Sequence, residues 1–363
     1  MTCFPRYFLI ILISLSLILS PLLVGCQREN LSVPKDYHIT CYAATYGKGI
    51  YKSENGGTSW YSFDTDQKAI HAYYKRLYKS PHDGDVLYIT TTGAGLFTLN
   101  PQTGALNSVN RFKGENVSSV AFRDITSDEQ GHNEVLVGIT KGGVFKTYNP
   151  VVSWEPCNTG LTYRDVNVLF IHKKELLAGT VKDLFKWDES SKRWMSASNG
   201  IKNKNIISIN AQGKILFAGS GPYPGEKGYF EEIPCLYKSE DKGKTWTASD
   251  KGIPDGTLVY VIAVNPKNHK RIYLGTSKGV YRSTDTGQNW AKMRNGLPKD
   301  LRIFDIKIAR MVDNKDVVYA AGSSGVYMTT DDDETRWVNK SYGLEQTAIT
   351  SIILLPKLTN QTN

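Results

Sequence analysis

The chain has 363 residues, of which 40% are hydrophobic, 11% aromatic and 22% charged, with a formal net charge of +9. That length accommodates one large β domain or two ordinary ones. The positive excess is scattered through loops such as Lys202-Asn203-Lys204 and Lys267-Asn268-His269-Lys270-Arg271, with no dense basic run, which argues against nucleic acid and fits a solvated surface.

At the start, Arg6 is the one charge before an apolar run from Phe8 to Val24, followed by Leu23-Val24-Gly25-Cys26. A short basic start, an apolar stretch and small residues before a cut site describe a secretory signal peptide over residues 1–25. The last four residues resemble the bacterial lipobox. That resemblance implies cleavage before Cys26, a diacylglycerol on its thiol, and residues 26–36 as a lipidated tether in the cell envelope. Gln27 stands where an aspartate would resemble an inner-membrane retention signal, so the outer membrane is favoured where the cell has one. The alternative is an uncleaved anchor, since about seventeen apolar residues could just span a bilayer.

The rest of the chain is one repeat. Ser53-Glu54-Asn55-Gly56-Gly57-Thr58-Ser59-Trp60 recurs as Ser239-Glu240-Asp241-Lys242-Gly243-Lys244-Thr245-Trp246 and as Ser283-Thr284-Asp285-Thr286-Gly287-Gln288-Asn289-Trp290. The shared form is Ser-x-Asp/Asn-x-Gly-x-x-Trp. Weaker copies lead to Trp154, Trp194 and Trp337, the last one residue late, and Asn100-Pro101-Gln102-Thr103-Gly104 keeps the glycine alone. An apolar–aromatic pair precedes each copy: Ile50-Tyr51, Leu96-Phe97, Val144-Phe145, Leu184-Phe185, Leu236-Tyr237, Val280-Tyr281 and Val326-Tyr327. Five of the tryptophans are followed six residues later by Gly160-Leu161, Gly200-Ile201, Gly252-Ile253, Gly296-Leu297 and Gly343-Leu344. The motif resembles the Asp-box, or bacterial neuraminidase repeat.

Between the boxes lie short runs rich in β-branched and aromatic residues, such as Val166 to Phe170 and Val317 to Gly322, bounded by Gly, Asn, Asp and Pro. About four strands per repeat is the signature of a propeller blade. The first repeat lacks an opening strand and the last leaves Ile349 to Leu355 over. The expected fold class is therefore all-β: a single seven-bladed β-propeller of four-stranded blades over residues 37–356. The C-terminal strand pairs in the N-terminal blade to close the ring, and residues 357–363 form a tail.

The box residues read as structural. Asp or Asn accepts N–H groups inside a turn, Ser adds a hydroxyl, Gly supplies positive φ, and Trp buries apolar area. These roles fall to Ser53, Asn55, Gly57, Trp60, Ser239, Asp241, Gly243, Trp246, Ser283, Asp285, Gly287, Trp290 and Trp337. Asp331-Asp332-Asp333 reads as a loosened box turn and not a metal site. Cys41, Cys157 and Cys235 are an odd number in separate repeats, match no zinc spacing, and read as buried thiols. No catalytic residue, metal or cofactor is expected.

One loop is unusual. Residues 220–234 interrupt the fifth repeat on the face opposite the boxes, where the equivalent loops are about three residues long. Tyr223, Glu226, Tyr229, Phe230 and Glu231 are the candidate partner contacts. Three families share the repeat. Sialidases need arginines around a carboxylate and a tyrosine–acid pair; no Arg-Ile-Pro precedes Ser53, and nothing places Arg123 beside Arg302. Asp-box xyloglucanases pair two propellers across a cleft, and this chain has one. The third group, the sortilin-like receptors and the photosystem II assembly and stability factors, binds proteins or peptides. The latter is similar to this chain in size, ring and lipobox, although its arginine-rich strip has no counterpart here. The expectation is a membrane-tethered, monomeric, non-catalytic scaffold for a protein or glycan partner. The alternative is a glycan-binding protein or glycoside hydrolase using carboxylates on the loop face.

Overall fold

In the computed structural model of the protein, the described residues are 39–63, 72–81, 84, 86–124, 133–149, 153–222, 233–311, 315–332, 336–344 and 347–356. The chain divides into two units, Met1–Ser32 and Val33–Asn363. The first, with the apolar run and Cys26, lies outside the described residues, as do Tyr223, Glu226, Tyr229, Phe230, Glu231 and Asp333.

The second unit contains seven four-stranded antiparallel sheets, the blades. Blade 2 is Tyr73–Lys79, Leu87–Thr92, Leu96–Leu99 and Leu106–Ser108, and blade 3 is Val117–Asp124, Asn133–Ile139, Gly143–Thr147 and Glu155–Pro156. Blades 4 and 5 open with Val166–His172 and Ile206–Gln212, blades 6 and 7 with Val259–Val264 and Ile303–Arg310. Each continues outward through three more strands in chain order. Blade 1 departs from this order. Its innermost strand is the last of the chain, Ile349–Pro356, paired with Ile39–Thr45 in a register running from Ile39↔Pro356 to Thr45↔Ile349. Ile50–Ser53 and Tyr61–Ser62 complete it. The seven innermost strands contact one another in ring order around an axis. The expected fold and the expected closure are both present.

Burial explains why the sheets stack. The second strands are almost wholly buried, as in Ile39–Thr45 and Leu177–Thr180, because both of their faces meet neighbouring blades. One apolar cluster fills each of the seven interfaces; between blades 7 and 1 it includes Trp60, Tyr319, Val326, Met328 and Ile352.

A second device links the blades. The Trp246 backbone N–H donates to the Asn199 carbonyl (2.9 Å), its indole N–H donates to the Ala197 carbonyl (2.8 Å), and its own carbonyl lies against Gly200. A Cβ on Gly200 would sit 2.1 Å from that oxygen. Gly160 and Trp194, Gly252 and Trp290, and Gly296 and Trp337 repeat the packing. Gly343 and Trp60 carry it across the seam between the last blade and the first. The glycine that follows one tryptophan by six residues thus seats the tryptophan of the next blade.

Candidate functional site

Within each blade the first-to-second and third-to-fourth turns share one face of the ring, and the second-to-third turns share the other with the blade-to-blade connections. The motif turns lie on the first of these faces. Ser239 Oγ donates to Asp241 (2.8 Å) and accepts from the Gly243 N–H (2.8 Å), while Asp241 accepts the N–H groups of Lys244 (3.0 Å) and Thr245 (2.9 Å). Ser283, Asp285 and Gly287 repeat this, and Asn55 accepts from Ser53 (2.9 Å) and from the Ser59 N–H (2.9 Å) in blade 1. Hydrogen bonds from the Thr245 hydroxyl and N–H hold the Asp241 carboxyl well below the usual carboxylate range. These acids are consumed by their own turns. Asp331 departs from the pattern: it leaves its turn and accepts from Asn265, Arg271 (3.0 Å) and Tyr273 (2.5 Å) of blade 6. Among the described residues no group of acids, histidines or cysteines is arranged to hold a metal. Cys41, Cys157 and Cys235 are buried free thiols, and burial pushes Cys157 up to about 11 and Cys235 to about 12.

The opposite face opens into the axis. Near the start of every innermost strand the register slips by one residue. The residues left out of pairing are Thr350, Lys75, Ser118, Asn167, Ile207, Tyr260 and Phe304, one from each blade. A bulge re-aims the side chain it releases, and all seven line one cavity of ≈ 410 Å³ at this mouth of the channel, the funnel. Outside blade 5 the second-to-third turns at this mouth are short. Thr45, Thr91 and Thr276 close theirs with a hydroxyl bond to the carbonyl of Gly49 (2.6 Å), Gly95 (2.7 Å) and Gly279 (2.8 Å).

The ring of bulged residues is chemically uneven. Lys75 and Arg76 bring two cations, and no carboxylate stands among the described lining. Arg76 crosses the axis and donates to the Tyr260 carbonyl (2.7 Å), joining blades 2 and 6, which are not neighbours. Burial, reinforced by Arg76, holds the Lys75 ammonium below its ordinary range. Tyr260 and Phe304 pack with ring centroids 5.4 Å apart on one side, and Asn167 donates to Asn205 and to the Ile206 carbonyl, both at 3.0 Å, on another. At the rim Tyr46 and Tyr73 stack at 4.4 Å while remaining 57% and 45% exposed. Beneath Arg76 a second cavity of ≈ 430 Å³ is mainly apolar, with Val168, Phe170, Ile209, Val261 and Ile306 among its walls.

The long loop leaves and rejoins this same face. The Ser220 N–H donates to the Cys235 carbonyl (2.8 Å), and Asn205 donates to the Gly221 carbonyl (3.0 Å), which fixes both ends of the insertion at the top of blade 5. Sequence reasoning found this loop and missed the bulged ring. The seven positions share no residue type, so only the backbone slip reveals them.

Residues 235–350 match the family described as Sortilin-Vps10 (sortilin, neurotensin receptor 3), and residues 62–200 match the Pep3/Vps18/deep orange beta-propeller domain. No curated protein matches the sequence. Among solved structures, the extracellular domain of a one-component system from B. thetaiotaomicron is similar with a TM-score of 0.60 at 12% identity, over 83% of this chain and 39% of that one. The GH74 xyloglucanase from Xanthomonas campestris gives 0.58 at 14% identity, over 84% and 53%. The chain therefore spans less than two thirds of either. YCF48 from Cyanidioschyzon merolae gives 0.53 at 12%, over 78% and 94%, and YCF48 bound to D1 peptide gives 0.50 at 15%, over 77% and 90%. At these identities the likeness is one of fold, and the class it defines is the single-ring β-propeller.

Proposed function

We propose that this chain is a membrane-tethered, non-catalytic propeller of the Asp-box type, which holds a protein partner as an interaction or assembly scaffold. It seats an acidic segment of that partner in the ring of bulged residues. The observation that carries this reading is the chemistry of the ring. An ammonium, a guanidinium, hydroxyls, an amide and two aromatic rings face a cavity whose described lining offers no acid. Its volume suits a few side chains, and the stacked Tyr46–Tyr73 pair offers an amphipathic rim of the kind that anchors interfaces. YCF48, similar in fold, has been solved with a bound peptide. Glycoside hydrolysis, the competing reading, calls for two carboxylates roughly 5–9.5 Å apart; the cationic lining favours binding instead. Glu226 and Glu231 of the inserted loop lie outside the described residues.

The test compares envelope proteins retained by the wild-type chain, by Lys75→Glu, and by the loop variant carrying Tyr223→Ser, Tyr229→Ser and Phe230→Ser. The expected outcome is a partner held by the wild type and lost with Lys75→Glu. A partner set indifferent to both variants overturns the site. Release of reducing sugar from envelope or plant glycans by the wild-type chain overturns the non-catalytic reading.

A further inference from the structure

The face that carries the motif turns has a polarity of its own. In blades 4, 5 and 6 the turns between first and second strands ring that mouth of the channel and present Lys173, Lys174, Lys214, Lys267 and Lys270, all exposed. None of the five pairs with a carboxylate among the described residues. The acids nearby are already engaged: Glu175 with Lys186 (2.6 Å), Glu240 with Lys238 (2.6 Å), Asp331 with Arg271 (3.0 Å), and Asp241 and Asp285 with their own turns. The turns of blades 4 and 5 touch, the His172 ring meeting the Gly213 carbonyl at 2.7 Å. Within blade 6 the Thr286 N–H of the motif turn donates to the Lys270 carbonyl at 3.2 Å, which ties the lysine-bearing turn to the motif turn beside it.

A separate observation concerns the path of the chain. Ile39 starts the second strand of blade 1 and pairs with Pro356, where the closing strand ends. Second strands start on the motif-turn face, so the propeller begins, at Ile39, on the lysine-bearing side. Residues 27–38 span at most about 40 Å when extended. A tether of that length lets the ring turn over, so charge decides which face meets the surface.

We propose that the lysine arc of blades 4 to 6 is a docking surface for anionic phospholipid, which lays the motif-turn face on the membrane and points the funnel away from it. The tether half of this arrangement rests on the lipobox reading above; the charge half stands on the lysines alone. Each lysine brought within a Debye length of an anionic leaflet, about 8 Å at physiological salt, contributes roughly fivefold to surface partition. Two engaged lysines therefore bias the orientation more than about tenfold. The arrangement leaves Lys75 and Tyr46 facing the compartment from which a partner arrives.

The experiment uses the full-length, processed chain on phosphatidylcholine vesicles with and without phosphatidylglycerol. A fluorophore is attached at His269→Cys on the lysine face or at Ser324→Cys on the funnel face, with an acceptor on the lipid headgroups. The three propeller cysteines are buried, so labelling is selective. Expected is stronger transfer from position 269 than from 324 only when phosphatidylglycerol is present. The difference should vanish at ~0.5 M salt, where the screening length falls to a few ångströms, and in the Lys173→Glu, Lys214→Glu, Lys270→Glu triple variant. Transfer from 324 equal to or above that from 269, or a ranking indifferent to phosphatidylglycerol, overturns the proposal. The mass of the processed chain reads acylation of Cys26 separately, so a failed tether and a failed lysine arc give different results.

Discussion

Asp285 shows what the repeat asks of a single side chain. Its carboxylate accepts from Ser283 Oγ (2.7 Å), from the N–H groups of Gln288 (2.9 Å) and Asn289 (3.0 Å), and from the Asn289 amide (2.7 Å). Burial pushes the group up, but the Asn289 and Ser283 bonds outweigh it and bring it down from 3.8 to about 2. A carboxyl depressed on folding contributes stability above its unfolded value, and loses that contribution as pH falls from about 4 through about 2. The site is shallow, so the effect is about 1 kcal/mol after screening. Urea titrations should show wild-type stability falling faster over that window than Asp285→Asn. The amide is tolerated, since Asn55 fills the same place in blade 1. The neighbouring position carries the opposite lesson. Gly56, Lys242 and Thr286 all lie in the left-handed region, at φ 63°, 64° and 63°. An L side chain there costs about 1–2 kcal/mol, and glycine returns part of that through its looser unfolded state. Lys242→Gly should therefore raise the urea midpoint by an amount equivalent to about 0.5–1 kcal/mol at constant m-value. The Ser, Asp and Gly of the turn were legible because they recur. The strained position was not, since three different residues occupy it.

At the level of elements, the Trp-to-Gly offset was visible as a period of six, yet its partner was not. Five repeats carry the same spacing, so the sequence cannot tell a contact within one blade from a contact with the next. Sterics decide. Gly200 has φ +92° and lies where a Cβ would meet the Trp246 carbonyl at 2.1 Å. Gly200→Ala must both strain the backbone and pry blades 4 and 5 apart, at a cost of about 3 kcal/mol or more. The tryptophans themselves provide an internal control. The Trp246 indole donates to the Ala197 carbonyl, whereas the Trp337 indole is buried without an acceptor among the described residues. Trp246→Phe should lose about 1 kcal/mol more than Trp337→Phe in chemical denaturation, because it alone surrenders a hydrogen bond. Equal losses would show that the indole bond adds nothing to ring packing. The same scale accounts for the funnel. A bulge is an event between two strands, so Lys75, Asn167 and Tyr260 could be placed together only once the pairing was known. The inserted loop, by contrast, announced itself by length, and its two ends, at Ser220 and Cys235, lie on the funnel face.

For the molecule as a whole, the decisive question is what keeps a ring of seven nearly independent sheets from opening. The blade count and the closing strand could be read from periodicity alone, because a missing first strand and a surplus last one imply each other. The inner lock could not. Asp305 is fully buried and accepts from Ser351 Oγ (2.7 Å), the Ile352 N–H (3.0 Å) and Lys307 Nζ (3.0 Å), while Ser351 Oγ accepts the Leu77 N–H at 3.2 Å. One carboxylate thus fastens blade 7 to the closing strand, and that strand's serine fastens it to blade 2. Asp305→Ala removes a charged acceptor from two buried donors on the closing strand, each bond worth about 1.5 kcal/mol, so a loss of about 3 kcal/mol is expected with the ring still closed and monomeric. Deleting residues 345–363 goes further. It strips Ile39–Thr45, seven buried residues, of its partner and leaves an apolar sheet edge open to other chains. That variant should form oligomers whose light scattering rises with concentration, while Asp305→Ala unfolds earlier in urea but stays monomeric. If the truncated chain remained monomeric with the wild-type midpoint, the Gly343–Trp60 contact and the interblade core would suffice to hold the seam. The closing strand would then be an addition to the ring and not its fastening.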